Sequence, residues 1–295
     1  MFFENECFRF IYSFHMPCLM LISGYFCGFS IKKGNLLSSR TKRVLIPTLI
    51  WSLIPFGINL FFGLVRHQPN VFMANLKIPI TYYWFMWAIL FGSLIIWFVH
   101  SFCKDNIIVF AVLGIAFLFI PKVLNFDCWF FMYPFYIAGY LWNIHGIGEK
   151  LKLNYYYVIA VFIIYVALFI FYDNRCYIYT TGLTVRSWKQ LVIDMYRYLI
   201  GFTGSALAVC LIYYLYRFFG KTHWAAFLSH LGKISLLIYC IDSLKHFYLP
   251  KITRNISFSY LYILIETVLC IILYVIINIA ISKIPLAKKY LLGGR

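Results

Sequence analysis

Ionisable side chains interrupt the long apolar runs of this sequence at a few places. His15 lies in the first run, Asp242 and His246 lie one helical turn apart in a late run, and Glu266 lies in the last run. Such groups are costly in hydrocarbon, so they are candidates for acid–base chemistry. A structural interpretation stays open for each: Asp242 and His246 as an i, i+4 pair near a span end, and Glu266 as a partner of a neighbouring helix.

The surroundings of His15 distinguish it from the other ionisable residues. Pro17 follows two residues later and frees a backbone carbonyl, and the Ser23-Gly24 step beyond it permits another helix to approach closely. A histidine in this setting either packs in a structural core or acts as an acid–base group. The residues alone leave these two interpretations equally open.

The composition indicates an integral membrane protein. Charged residues make up 12% of the chain and apolar residues 63%, whereas a typical soluble domain is about 25% charged. The net charge is +17, but the basic residues lie in short gaps between apolar runs rather than on one polar face, which argues against nucleic-acid binding. The nine cysteines are scattered without a CxxC or a metal-ligand spacing, so we expect no metal site.

Apolar runs of about 20 residues are needed to cross the hydrocarbon core of a bilayer. We therefore predict an all-α, polytopic membrane helical bundle of about nine transmembrane helices in a single membrane-embedded domain, residues 1–295. The predicted spans are 8–30, 44–65, 82–100, 107–124, 128–145, 155–172, 195–219, 231–249 and 257–282.

The Lys and Arg residues between the spans predict the orientation. The first gap is the most basic, with Lys32, Lys33, Arg40, Lys42 and Arg43, and the tail carries Lys288-Lys289. By the positive-inside rule both are cytoplasmic, which places the N-terminus and the polar connection 173–194 outside.

Few recognised sequence motifs are present. The run 82–87, Tyr-Tyr-Trp-Phe-Met-Trp, opens the third predicted span, and by composition alone it is an interfacial aromatic belt. No P-loop, GxGxxG, HExxH or GxSxG occurs. Function must therefore be inferred from longer patterns.

Four segments, in order along the chain, resemble the acyltransferase 3 family of membrane proteins. Residues 14–17 and 22–26 resemble its FHMPLFFxxSGY stretch, and residues 40–47 with Trp51-Ser52 resemble RxxRLLIPYxxWS. Residues 83–88 resemble WFLWAL, and residues 231–239 resemble LGxxSLxIY. Each motif is weak alone, but four with matching order and spacing are fairly specific.

The resemblance implies a ten-helix enzyme of the bacterial inner membrane. Such enzymes move an acyl group, usually acetyl, from cytoplasmic acyl-CoA to a hydroxyl of an envelope polysaccharide or glycolipid, with no permanently bound cofactor. Arg40 and Arg43 match the family's cytoplasmic arginines and are candidates to bind the CoA phosphates. His15 is then the candidate catalytic residue, Trp84 would line the cavity, and Ser23-Gly24 would allow close packing near it.

Two departures from the family pattern affect these expectations. The family's first helix carries an Arg/Lys-x10-His motif that has no counterpart here, which predicts that the chain lacks that helix and is N-terminally truncated. Asp242 stands where some members have a histidine. Two alternatives to an acyltransferase remain from the sequence: an exporter of a glycan precursor, or an inactive scaffold in a polysaccharide-synthesis complex.

Overall fold

The part of the chain that the structure describes is mainly helical. This computed structural model describes residues 6–67, 70–120, 126–150, 154–183, 187–248 and 260–294, and no strand occurs within them. The all-α prediction is confirmed. Apolar side chains cover much of the surface, including Phe61 at 63% exposed and Ile108 at 67% exposed. That surface is suited to lipid rather than to water, which confirms a membrane protein.

The helices follow one another with short connections. In chain order they are α1 Glu6–Lys32, α2 Leu36–Arg40, α3 Ile46–Val65, α4 Val71–Asn75, α5 Ile78–Tyr82, α6 Trp84–Cys103, α7 Ile107–Phe117, α8 Phe126–Ile144, α9 Ile147–Lys150, α10 Tyr155–Ile170, α11 Ile178–Thr181, α12 Trp188–Phe219, α13 His223–Lys233, α14 Ser235–Tyr248, α15 Tyr260–Ser282 and α16 Pro285–Leu291. A π-helical turn, Thr41–Leu45, joins α2 to α3.

The predicted number of nine spans is not confirmed. Five helices of the described residues are long and apolar enough to cross a membrane, and their bounds are Glu6–Lys32, Leu36–Val65, Trp84–Cys103, Trp188–Phe219 and Leu264–Ser282. The bent pair α13 and α14 would make a sixth if it is one span.

Helix length and bending account for three of the four predicted spans that are not among these five helices. Helices α7 and α10 have 11 and 16 residues, which at 1.5 Å per residue is about 17 and 24 Å, less than the hydrocarbon thickness. The predicted span 231–249 is interrupted, because α13 and α14 meet at 61°. Residues 121–124, 249 and 257–259, which belong to three predicted spans, lie outside the described residues.

The chain forms two compact units, each made of two stretches of sequence. Unit 1 comprises residues 1–38 and 87–220, and unit 2 comprises residues 39–86 and 221–295. In unit 1, α1 packs against α8 and α12, and α10 packs against α12. In unit 2, α3 packs against α4, α5 and α16, and α14 packs against α15.

Two glycines bring the backbones of α1 and α8 into direct contact. A Cβ added at Gly24 would lie 1.9 Å from the carbonyl oxygen of Tyr136, and one added at Gly139 would lie 1.9 Å from that of Leu21. Neither position accepts a larger residue without separating the helices. Gly24 therefore lies where the helix carrying His15 approaches its main partner, and Ser23 beside it is half-buried.

The start of α12 differs from the prediction. The sequence predicted a polar connection through Asp194, but the helix begins at Trp188 and includes that residue. Ser187 caps it, with its hydroxyl accepting a hydrogen bond from the backbone N–H of Gln190 at 3.2 Å. The sequence Ser-x-x-Gln is a known helix-start signature, so this boundary was present in the sequence and was missed.

Candidate functional site

His15 is held in a defined tautomer. It lies about 2.5 turns into α1 and is half-buried. Its Nδ1 is 2.9 Å from the carbonyl oxygen of Ile11, and because a carbonyl only accepts, Nδ1 carries the hydrogen. The neutral ring then presents Nε2 as an unprotonated acceptor, which is the form that a general base requires.

Aromatic rings connect His15 to a distant part of the chain. The Tyr12 ring meets the His15 ring edge-on, with centroids 4.6 Å apart, and meets the Tyr177 ring with centroids 5.4 Å apart. Tyr177 belongs to the connection between α10 and α12, residues 173–183, which we call the 173–183 segment. The segment contains a 3-10 turn at Asn174–Cys176 and helix α11. His15 is thus linked to this segment through one intervening ring.

Arg197 fastens the 173–183 segment to α12. Its side chain is 2% exposed, and a guanidinium has five N–H donors, all of which are used here. They donate to the carbonyl oxygens of Cys176 at 2.7 Å, Gly182 at 2.7 Å, Arg175 at 2.9 Å and Tyr177 at 3.1 Å, and to the carboxylate of Asp194.

The carboxylate of Asp194 completes this buried arrangement. Asp194 is 5% exposed and receives a second hydrogen bond, from Gln190 Nε2 at 3.1 Å. Gln190 also donates to the carbonyl of Gly182 at 3.2 Å. A buried ion pair with these hydrogen bonds satisfied is stable, and it orders the segment that carries Tyr177. Arg197 was not among the residues predicted from the sequence, although an arginine inside an apolar run was the available signal.

Two other ionisable groups of the 173–183 segment have shifted pKa values. Hydrogen bonds from Arg175 hold the pKa of the Asp173 carboxyl below its ordinary value. Burial raises the pKa of the Cys176 thiol. A thiol that stays protonated is a poor nucleophile, so Cys176 is not a candidate to carry an acyl group.

Unit 2 contains the two arginines predicted to bind phosphate. Arg40 ends α2 and Arg43 lies in the π-helical turn. The C-terminal tail is docked here: a Cβ added at Gly293 would lie 2.8 Å from Arg43 Cα, and Trp51 Nε1 donates to the carbonyl of Leu291 at 3.1 Å. The structure therefore brings the π-helical turn into contact with the C-terminal tail, which carries the Lys288-Lys289 pair of α16, and the sequence predicts both to be cytoplasmic.

The remaining candidate residues also lie in unit 2. Trp84 is buried at the start of α6. Asp242 accepts a hydrogen bond from the Tyr274 hydroxyl at 3.2 Å, which fits a structural role. Glu266 is half-buried on α15. His246 lies on α14, but its side chain is outside the described residues. The roles of these four residues remain predictions.

Comparison with known proteins identifies the family. The profile of the family described as "Acyltransferase domain", acyltransferase 3, matches residues 1–284. The chain belongs to the acyltransferase 3 family. Two Nodulation proteins NolL are similar to this acyltransferase: that of Mesorhizobium japonicum is 24% identical over 254 residues, 82% of the chain and 67% of the relative. That of Sinorhizobium fredii is 25% identical over 266 residues, 82% of the chain and 68% of the relative. No solved structure shows a significant match.

The family match and the geometry together indicate which chemical groups the acyltransferase site contains. The resemblance stated from four motifs is confirmed, and the chain is a membrane acyltransferase. Within the described residues, no three His, Cys, Asp or Glu side chains are grouped so as to hold a metal ion. Unit 1 contains His15, whose imidazole can act as a base, and unit 2 contains the π-helical turn with Arg43.

Proposed function

We propose that this acyltransferase moves an acyl group, normally acetyl, from cytoplasmic acyl-CoA to a hydroxyl of an envelope polysaccharide or glycolipid in the bacterial inner membrane. The observation that carries the proposal is the acyltransferase match across residues 1–284, within which His15 has an acceptor nitrogen. Acyl-CoA is a donor substrate rather than a resident cofactor.

The proposed reaction is one base-assisted displacement. His15 Nε2 takes the proton of the acceptor hydroxyl as that oxygen attacks the thioester carbonyl. A C–O bond forms, the C–S bond breaks, and the CoA thiolate leaves and takes up the proton from the imidazolium. Transient acylation of the imidazole is the covalent variant of the same step.

The test of this function follows the acyl group. Inverted membrane vesicles containing the chain should transfer label from [14C]acetyl-CoA to a polysaccharide or glycolipid fraction as a base-labile ester. Vesicles lacking the chain are the control. If the wild-type chain gives no labelled ester while the fractions contain free hydroxyls and the donor is intact, the proposal is wrong, and the inactive-scaffold alternative gains support.

Arg43 tests the assignment of the phosphate site. Arg43→Ala should weaken acyl-CoA binding about 10- to 100-fold, because a charged hydrogen bond to phosphate is lost. Arg43→Lys should also weaken it, since lysine keeps the charge but loses the planar fork. The dissociation constant of [3H]CoA, measured on purified protein in lipid nanodiscs, reports the effect.

The matched control for Arg43 is its neighbour. Lys42 is exposed in the same π-helical turn and carries the same charge, so Lys42→Ala should change CoA affinity much less. Equal losses in Lys42→Ala and Arg43→Ala would mean that only the local charge matters. Unchanged affinity in both Arg43 variants, with normal insertion, would remove Arg43 from the site.

The orientation of the chain is part of the proposal and rests on the Lys and Arg distribution. The first gap, with residues 32–43, and the C-terminus would face the cytoplasm, where acyl-CoA is found. In a variant with its native cysteines replaced, a cysteine at position 38 should react with an impermeant maleimide only after cells are opened. A cysteine at position 175 should react in intact cells. Labelling of position 38 from outside would reverse the orientation.

A further inference from the structure

A cavity of about 330 Å³ lies within unit 1, where the C-terminal ends of α1 and α6 meet. It is separate from His15, which lies about 26 Å further back along α1 from Lys32 at the helical rise. The residues that line the cavity include Asn35, Leu36, Ser38, Trp97, His100 and Ser101.

The lining has the composition of a site for a flat, uncharged ring. Trp97 provides an aromatic wall, and its ring is held edge-to-face against Phe102 with centroids 6.1 Å apart. Asn35, Ser38 and Ser101 provide neutral polar groups, and among the described residues no acidic, Lys or Arg side chain lines the cavity. Mostly apolar walls with a few oriented polar groups are typical of small-molecule sites, although this volume is at the small end of their range.

The orientation of His100 is fixed by a carboxylate. Its Nδ1 is 2.8 Å from Asp105 Oδ2, and Asp105 Oδ1 accepts a 2.6 Å hydrogen bond from the buried hydroxyl of Tyr140. A carboxylate that accepts from both partners requires a hydrogen on Nδ1. In the neutral ring, the nitrogen that remains for a ligand in the cavity is therefore Nε2, as an acceptor.

The backbone supports this placement of Asp105. Lys104 and Asp105 form the turn after α6 with φ of +51° and +58°, in the left-handed region that non-glycine residues rarely adopt. The turn directs the chain from α6 into α7, with Asn106 capping α7 by accepting from the N–H of Ile108 at 2.9 Å. The turn therefore places the Asp105 carboxylate beside the last turns of α6, where His100 lies.

We infer that this cavity binds the adenine ring of the acyl-CoA donor. The inference rests on the proposed function, in which acyl-CoA is the donor, and it adds where the nucleotide is recognised. The ring stacks on Trp97, and its exocyclic amine donates to Nε2 of His100. Helix α2, which contributes Leu36 and Ser38 to the lining, ends at Arg40, one of the two arginines assigned to the CoA phosphates.

Binding measurements without catalysis test the inference. Purified chain in lipid nanodiscs should bind CoA about tenfold more tightly than the deaminated analogue whose adenine is replaced by hypoxanthine, because the analogue presents a carbonyl to His100 Nε2 instead of an amine. Trp97→Ala should weaken CoA binding about tenfold by removing the stacking surface. Phe98→Ala is the control, since Phe98 is the next residue on α6 and does not line the cavity.

Asp105→Asn tests the tautomer directly. The amide N–H₂ of asparagine would donate to His100 Nδ1 and leave the hydrogen on Nε2, so the preference for adenine over hypoxanthine should disappear or reverse. A purely structural role for Asp105 would lower affinity for both ligands equally. The ratio of the two affinities therefore separates positioning from folding.

The outcomes separate this inference from the proposed function. Equal affinity for CoA and the hypoxanthine analogue in the wild-type chain, or equal effects of Trp97→Ala and Phe98→Ala, would overturn the adenine site. Acyl transfer from acetyl-CoA would then still stand. Failure of CoA to bind at all, at concentrations that saturate known acyl-CoA enzymes, would overturn both the adenine site and the donor assignment.

Discussion

Replacing His15 by alanine is expected to lower the rate of acyl transfer by about 10²- to 10⁴-fold, the usual contribution of a positioned acid–base group. The reason is the tautomer: the hydrogen bond to the Ile11 carbonyl leaves Nε2 free to accept a proton, and alanine has no substitute for it. Initial rates with [14C]acetyl-CoA in vesicles measure the loss, and CoA affinity should be unchanged because His15 lies far from the basic end of α1.

Two further variants make the His15 result specific. His15→Gln keeps a polar side chain of similar size but cannot take up a proton at neutral pH, so it should lose nearly as much activity as alanine. His145→Ala removes an exposed histidine just after α8 in the same unit and should retain full activity. A His15→Ala chain that transfers acetyl at the wild-type rate would assign catalysis to another group and leave His15 a core histidine.

Replacing Arg197 by methionine should destabilise the chain by about 3–5 kcal/mol, because Asp194 would remain buried without its partner. The four carbonyl acceptors of the 173–183 segment would lose their donor at the same time. We expect a fall in Tm of roughly 10 °C or failure of the protein to accumulate, measured by thermal unfolding in detergent.

A double variant distinguishes the ion pair from simple loss of packing. Arg197→Met with Asp194→Leu removes both charges, so part of the lost stability should return. Arg175→Ala is the control, because Arg175 forms an exposed ion pair with Asp173 and should leave Tm almost unchanged. An Arg197→Met chain that unfolds at the wild-type temperature would show that the 173–183 segment is held by other contacts.

Much of the fold was predictable because hydrophobic period and length are local properties of a sequence. Helices α1, α3, α6 and α15 occur within a few residues of their predicted positions. The predicted helix boundaries were wrong where capping determines the end of a helix, as at Ser187. They were also wrong at Ile234, where the helix breaks without a proline that would indicate the break. The length of α7 was overestimated because an apolar run does not show where a helix ends.

The candidate site was predicted only in part, for a physical reason. His15, Arg40 and Arg43 were identifiable from residue type, position and family motifs. The Tyr12 and Tyr177 rings are in contact although the two residues are about 165 positions apart. Arg197 donates hydrogen bonds to carbonyl groups about 20 positions earlier in the chain. Such pairings follow from helix packing rather than from a local sequence pattern. Asp105 was not identified, since a turn residue becomes informative only when His100 and Tyr140 are seen beside it.

The glycine contact between α1 and α8 has a mechanical consequence. Where backbone touches backbone, no side chains lie between the helices to change rotamer and absorb a displacement, so sliding one helix moves the other. His15 on α1 is therefore a fixed reference point relative to α8. If access to the two sides of the membrane alternates during turnover, α1 and α8 are expected to move together, so that the imidazole keeps its position relative to α8.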